Sequence, residues 1–411
     1  MTITLDQIRQ AAQQIHSGIV QTPCIYSTKL SQLTNTRVAL KFENLQFTGS
    51  FKDRGSLYKL LSLSTTQQQQ GVVAMSAGNH AQAVAYHAQR LGIPAVIVMP
   101  QCTPSVKVER TQSFGAEIHL YGDTLDAAKT LAQQLAQERQ LTLIHPYDDS
   151  FIIAGQGTVA IEMLKDCPDL DSIIVPIGGG GLISGIAIAA KQMRPSIHII
   201  GVQTTRYPSM YQAIAGKQPC FGCSTIAEGI AVKTPGSLTL PIIQNLVDDI
   251  VLVEETEIEQ AVRLLLEVEK TVVEGAGAVG LAALLKGPER FSGKTVGIVL
   301  SGGNIDLLIL ASILQRSLVR DQRLVRLQVN IRDTPGALAA VSQIIADTQA
   351  NIVGVEHHRM FTGLPVQSAI LEFSLLIRGH QHLEQILNRL KSTGHDAHSI
   401  PLDVDLATCQ S

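Results

Sequence analysis

Tryptophan is absent from the 411 residues, and aromatic residues make up only 4% of them. Proteins that hold single-stranded nucleic acid stack bases on such rings, so the composition argues against that mode of binding. A charge excess is missing too: 32 Lys and Arg stand against 35 Asp and Glu, a formal net charge of -3. There is no basic surplus for phosphate backbones and no acidic tail. Six cysteines fall without framework spacing, which fits a reducing compartment better than a disulfide scaffold. The first 20 residues contain no apolar signal core and no small-residue cleavage site. Residues 173–190 carry no charge, but Pro176 and the run from Gly178 to Gly181 would break a membrane helix. The chain is therefore expected to be cytoplasmic and to bind neither nucleic acid nor membrane. At roughly 150 residues per domain it is long enough for two or three domains.

What the sequence does have is 45% hydrophobic and 16% charged residues, an ordinary globular balance. Apolar runs at Ala95–Met99, Ile173–Ile177, Ile199–Val202 and Val296–Leu300 alternate with Gly or Pro punctuation and helical stretches. Runs buried on both faces belong to parallel strands, so an α/β layered fold is predicted. Past Val319 the period changes. Val325, Leu327, Val329 and Ile331 alternate strictly, as do Ala369, Leu371, Phe373, Leu375 and Ile377. With helices after Pro335 and from His380, and a strand from Asn351, this predicts a ferredoxin-like β-α-β-β-α-β unit. The expected division is 1–320, with a smaller subdomain at about 70–145, and 325–402. The Gln67–Gln70 run is read as a loop.

Three Gly-rich or polar turns follow predicted strands, where open α/β sheets bind ligands. Ser76, Ala77, Gly78, Asn79 and His80 precede a helix expected from Ala81; free amides there suit a carboxylate, and equally a plain N-cap. Gly178, Gly179, Gly180, Gly181 and Leu182 expose a nest of amides suited to phosphate, with a tight turn as the alternative. The stretch satisfies neither a Walker loop nor G-x-G-x-x-G. Ser301-Gly302-Gly303-Asn304 alone would be an ordinary turn. Lys52, in Thr48-Gly49-Ser50-Phe51-Lys52-Asp53-Arg54-Gly55, alone would be a surface residue. Carbonyl cofactors are carried on Lys amines whose pKa is depressed. Phosphate nest, anion loop and Lys together point to pyridoxal phosphate.

The motifs Ser50–Gly55, Ser76–Gln82, Gly178–Leu182 and Ser301–Asn304 together resemble the signature set of fold-type II pyridoxal-phosphate enzymes. Within that family the chain resembles the threonine dehydratases (threonine ammonia-lyases) from about Leu5 to Leu314. Segments Thr225–Lys233 and Glu274–Gly280 add to the likeness. The resemblance implies a tryptophan synthase β-like fold of two open twisted sheets. The C-terminal unit, with Asp333-Thr334-Pro335-Gly336-Ala337-Leu338, resembles an ACT domain.

Carried over by position, the resemblance implies that Lys52 holds the cofactor and takes the α-proton. Phe51 would pack beside the ring, Asn79 would hydrogen-bond its 3-oxygen, and Gly178 to Leu182 would bind the phosphate. Ser301 would meet the pyridine nitrogen; a neutral hydroxyl there does not keep that nitrogen protonated, which favours β-elimination over transamination. Ser76 to His80 would hold the substrate carboxylate. Glu274 falls near the cofactor, in a structural or a catalytic role. Serine racemases of the family place a Ser directly after the position of Ser76; Ala77 offers no proton, which favours the dehydratase reading. The same scaffold stripped of chemistry would be an amino-acid sensor, against which Lys52, Asn79, the glycines and Ser301 speak jointly. The family's acidic residue of a cation site is replaced by Gln203, Cys220-Phe221-Gly222-Cys223 lacks a second pair, and His357-His358 reads as surface; no metal is assigned. The expected partners are a small amino-acid substrate, a second copy in a homodimer or homotetramer, and a branched-chain amino-acid effector at Asp333, Gly336, Leu338 and Asn351.

Overall fold

The computed structural model describes residues 3–360, 363 and 365–400. The chain divides into two compact units, one up to Asp306 and one from Leu307. Residues 401–402, expected to close the second unit, lie outside the described residues.

In the first unit the apolar runs form the interior of a six-stranded sheet. Its order is Cys24–Ser27, Arg37–Lys41, Thr295–Val299, Ser172–Pro176, His198–Thr204, Asp249–Val253. The first pair is antiparallel and the remaining neighbours are parallel. A second sheet, parallel throughout, orders Glu117–Leu120, Ala95–Met99, Val72–Met75 and Thr142–Leu143. Strands of this kind are covered on both faces, and every residue of Ser172–Pro176 and of Ala95–Met99 is buried.

Three helices of the first unit meet at backbone distance. They are Lys52–Leu61, Ser150–Asp166 and Gly181–Met193. A Cβ on Gly155 would lie 2.7 Å from the Gly55 Cα, and one on Gly185 would lie 2.2 Å from the Ile153 carbonyl oxygen. Only glycine permits that approach. Beside it lies a cluster of buried charges. Arg54 donates to Glu43 through Nε (2.7 Å) and Nη2 (2.8 Å), and to Glu162 through Nη1 and Nη2 (2.7 Å each). Lys41 Nζ donates to Glu162 and to the Thr22 carbonyl, both at 2.5 Å.

One expectation fails. Thr65–Gln70 is a helix, so Gln67–Gln70 is no loop. Ser64 Oγ accepts from the Gln67 amide while Gln67 Oε1 accepts from the Ser64 amide, a reciprocal cap that nucleates the turn. The helix expected from Ala81 begins at Asn79.

In the second unit, the strands Asn351–His358, Ser368–Leu376, Leu324–Arg332 and Asp396–Ile400 form an antiparallel sheet in that order. The alternating residues Leu327, Val329, Leu371 and Phe373 are fully buried against Val341, Ile345, Ile386 and Leu390 of the helices Ala337–Asp347 and His380–Ser392. The helix Leu307–Arg320 groups with this unit. Among the described residues, no helix is long and apolar enough to cross a membrane.

Candidate active site

Lys52 opens the helix Lys52–Leu61, directly after the turn that crosses to Ser301. Ser50 bridges to Gly302, and the Phe51 amide donates to the Ser301 carbonyl at 3.0 Å. The two motifs, about 250 residues apart, are thereby joined. Lys52 Nζ donates to the Pro146 carbonyl at 2.6 Å and sits 5.1 Å from the Phe51 ring centre. Among the described residues no carboxylate lies within ion-pair distance of it. Desolvation by burial lowers its pKa to about 8, partly opposed by the field of Glu274.

Asn79 begins the helix Asn79–Leu91 that follows the strand Val72–Met75. Its Nδ2 donates to Glu274 Oε1 at 2.8 Å, and its Oδ1 accepts from Asn304 Nδ2 at 2.7 Å. Asn304 Oδ1 accepts from Arg110 at 2.8 Å, so the amide of Asn79 is fixed from both ends. Glu274 stands directly before the helix Gly275–Lys286 without capping it through its side chain, and burial raises its pKa to about 7. A side chain at Gly302 would stand 2.6 Å from Glu274 Oε1, which leaves glycine as the residue that fits. Within Ser76–His80, the Gly78 amide donates to Ser76 Oγ at 3.1 Å. His80 is buried with its Nε2 3.0 Å from the Ile144 carbonyl; burial lowers its pKa to about 3, so it is neutral and donates through Nε2.

The glycine run bends through Gly180 at φ 98°, left-handed backbone, into the helix Gly181–Met193. A Cβ on Gly179 would be 2.3 Å from the Tyr147 ring, and one on Gly178 would be 3.2 Å from the Gly229 carbonyl. The Thr225–Lys233 segment thus packs on the glycines. Ser301 is buried, and its hydroxyl makes no hydrogen bond to another described residue.

Sequence reading missed the turn His145–Asp148. It touches Lys52 through Pro146, the glycines through Tyr147, and Ser237 and Leu238 through the Asp148 carboxylate. It also missed Arg110, and Lys107, which pairs with Glu228 at 2.7 Å. None of these carries a local motif.

Comparison with known proteins agrees with this geometry. Residues 15–302 match the family model described as "Pyridoxal-phosphate dependent enzyme", and 325–395 match the ACT domain. The chain belongs to the pyridoxal-phosphate dependent enzyme family. It has the fold-type II architecture with a C-terminal ACT domain, and its cofactor is pyridoxal phosphate. The L-threonine ammonia-lyase of Thermotoga maritima is 42% identical over 396 residues, 96% of this chain and 98% of that one. Serine racemase from Dictyostelium discoideum superimposes with a TM-score of 0.70 at 38% identity, covering 75% of this chain and all of that one. The processed form of threonine deaminase isoform 2 from Solanum lycopersicum gives 0.72 at 33% identity, covering 76% and 89%.

The residues present fit the cofactor of this family. An amine without a carboxylate partner among the described residues, glycines whose Cβ atoms would fill the loop, and the hydroxyl of a buried serine meet the needs of an aldehyde, a phosphate and a ring nitrogen. An amine attacks a carbonyl only when neutral. The rate at which cofactor-free protein captures pyridoxal phosphate is therefore expected to rise with pH through about 8, rather than near the ordinary 10.5 of lysine. Stopped-flow absorbance across pH 6–11, a span set to bracket the ordinary lysine value of roughly 10.4, reads this directly; a midpoint near 10.5 would refute it.

The remaining motifs fall elsewhere. Gln203 is fully buried; its Nε2 donates to the Ile177 carbonyl at 3.3 Å and its Oε1 accepts from the Tyr211 amide at 2.9 Å. Both ends of its amide are thus engaged. In the ACT unit, Gly336 at φ 90° caps the helix Ala337–Asp347, and Leu338 is 40% exposed. Asp333 faces Arg359 at 3.0 Å and His357 at 3.7 Å, and Asn351 begins its strand opposite Leu376.

Proposed function

We propose that this enzyme is a threonine ammonia-lyase that converts L-threonine to 2-oxobutanoate and ammonia, and L-serine to pyruvate. The observation that carries the reading is the half-buried, carboxylate-free amine of Lys52, linked through one hydrogen-bonded turn to the glycine run. The near full-length likeness to an L-threonine ammonia-lyase supports the choice of substrate. Pyridoxal phosphate, when bound, supplies the electron sink that makes the α-proton of an amino acid removable. Lys52 takes that proton at Nζ, and the amides of Ser76 to His80 receive the substrate carboxylate. Gly178 to Leu182 would hold the phosphate, Phe51 would flank the ring, and the second Nδ2 hydrogen of Asn79 would serve its 3-oxygen. The uncharged Ser301 hydroxyl would leave the ring nitrogen unprotonated, which would favour loss of the β-hydroxyl. Water leaves with that step and returns when the freed enamine hydrolyses to the 2-oxo acid and ammonia. A steady-state assay of 2-oxo acid release from both amino acids tests the reading; no release from either would overturn it.

Serine racemisation is the second reading, favoured by the likeness to serine racemases. It needs an acid on the face opposite Lys52, and Ala77 has none to give. Replacing Ala77 with Ser is expected to add D-serine formation from L-serine alongside deamination. Chiral chromatography that finds no D-serine would remove Ala77 as the discriminator.

The ACT unit supports regulation by an amino acid, in a cytoplasmic homodimer or homotetramer at the first step of isoleucine formation. Isoleucine, bound at the turn Asp333–Leu338 and at Asn351, is expected to inhibit by roughly 5–150-fold in apparent affinity, the ordinary range of such couplings. Valine opposes it. Threonine saturation curves with and without each amino acid test this, and curves that do not move would leave the unit a structural one.

A further inference from the structure

The turn His145–Asp148 is held by an imidazole used as an acceptor. His145 Nδ1 lies 2.8 Å from the Asp148 amide and 3.3 Å from the Tyr147 amide, so both N–H groups donate to it. An Nδ1 that accepts carries no proton; the neutral ring holds its hydrogen on Nε2. Between these residues stands Pro146, whose carbonyl takes the Lys52 amine at 2.6 Å. The same turn sends the Tyr147 hydroxyl to the Thr234 carbonyl at 3.0 Å, and the Asp148 carboxylate to the amides of Ser237 and Leu238 at 2.8 Å each. A single acceptor atom thus fixes the backbone that touches the amine, the glycine run and the 234–238 segment.

We propose that His145 is a positioning residue: its unprotonated Nδ1 shapes the turn that aims the Pro146 carbonyl at Lys52 and seats Tyr147 on the glycine run. The proposal rests on the reading of Lys52 as the reactive amine. Burial keeps the ring neutral, as do the nearby cations Lys129 and Lys52; Asp148 and Asp149 oppose them, and neutral His80 faces it as well. The Tyr147 ring closes against it edge-on at 4.7 Å between centres. Protonating Nδ1 would set a hydrogen against two amide hydrogens and release the turn.

The holoenzyme tests this with two variants. His145→Asn keeps an acceptor oxygen at the place of Nδ1, and His145→Ala removes it. A displacement of about 1 Å at a reacting group can cost ~100-fold, so His145→Ala is expected to lose about that factor in kcat and to bind pyridoxal phosphate more weakly, with KM for threonine little changed. His145→Asn should return most of both. Cofactor affinity, read by absorbance titration of cofactor-free protein, is independent of turnover. His145→Ala with native kcat and cofactor affinity overturns the proposal, as does His145→Asn that is no better than His145→Ala at equal melting midpoint. Where His145→Ala does not fold, amide exchange in the unaltered holoenzyme decides. Exchange at Tyr147 and Asp148 should speed up, relative to the Phe51 amide, as the imidazole protonates; a constant ratio overturns the proposal. Failure of the underlying reading looks different: Lys52→Ala would then still turn over threonine, whatever the state of His145.

Discussion

Lys52→Ala is expected to lower threonine deamination by about 10,000-fold or more, because it removes both the covalent anchor and the base. The fold should survive. Among the described residues the amine makes no ion pair, and its one hydrogen bond is to the Pro146 carbonyl, so the loss is an unmet carbonyl worth roughly 1–3 kcal/mol. The melting midpoint should therefore fall by roughly 2–12 °C, at about 2–4 °C per kcal/mol. The variant should also lose the absorbance of the bound cofactor. A folded Lys52→Ala protein that keeps substantial turnover would refute the assignment.

Arg54→Met is expected to be strongly destabilising, although Arg54 touches no reacting atom. The guanidinium is fully buried and shared by Glu43 and Glu162. Burial alone pushes the Glu43 carboxyl up; Arg54, with Lys41 and Thr22, more than reverses this and holds it below its ordinary value. Removing one member of such a group leaves charge stranded in the interior, at a cost of about 3–5 kcal/mol. The sign with pH follows. In the native chain the depressed Glu43 contributes stability that is present above its unfolded value of 4.5 and lost as pH falls. In the variant the same carboxyl, still buried and left with only Lys41, Thr22 and Gln46 beside it, is raised relative to the native chain, so acid costs the variant less. The deficit of Arg54→Met should thus be widest near neutrality and narrow below roughly pH 5. Denaturant titrations at several pH values measure this; a deficit that does not change with pH would mean that lost packing, not stranded charge, is the cause. Adding Glu43→Gln to Arg54→Met should recover part of the loss.

Much of this was legible in the chain itself. The apolar runs at Ala95–Met99 and Ile173–Ile177 lie in parallel strands because burial on both faces leaves no room for polar alternation. Leu327 and Phe373 alternate with exposed or half-buried neighbours because their sheet is covered on one face only. The Gln67–Gln70 helix was legible too, from Ser64 and Gln67 three apart, a cap signal that the polar glutamine repeat masks. The site's supporting contacts left no such trace. Asn79 meets Glu274 across 195 residues and Asp148 meets Ser237 across 89. Pairings of that span are set by how sheets and helices stack, and they impose no period on the sequence. Arg54, Glu43 and Glu162 read singly as ordinary charged residues; only the fold makes them an interior group.

The glycine contacts among the helices Lys52–Leu61, Ser150–Asp166 and Gly181–Met193 bear on how this enzyme can diversify. The helix that carries the amine and the helix that follows the glycine run both lean on the same middle helix, with main chain against main chain. Adding a single methyl at Gly155 or Gly185 would wedge that stack apart. On the proposed reading of Lys52 and the glycine run, the distance between them is therefore inherited as a fixed gauge, matched to one cofactor. New substrates can be accommodated only through the segments that this gauge leaves alone, such as Ser76 to His80, and a lineage built on this frame can change what it deaminates far more readily than it can change the cofactor it uses.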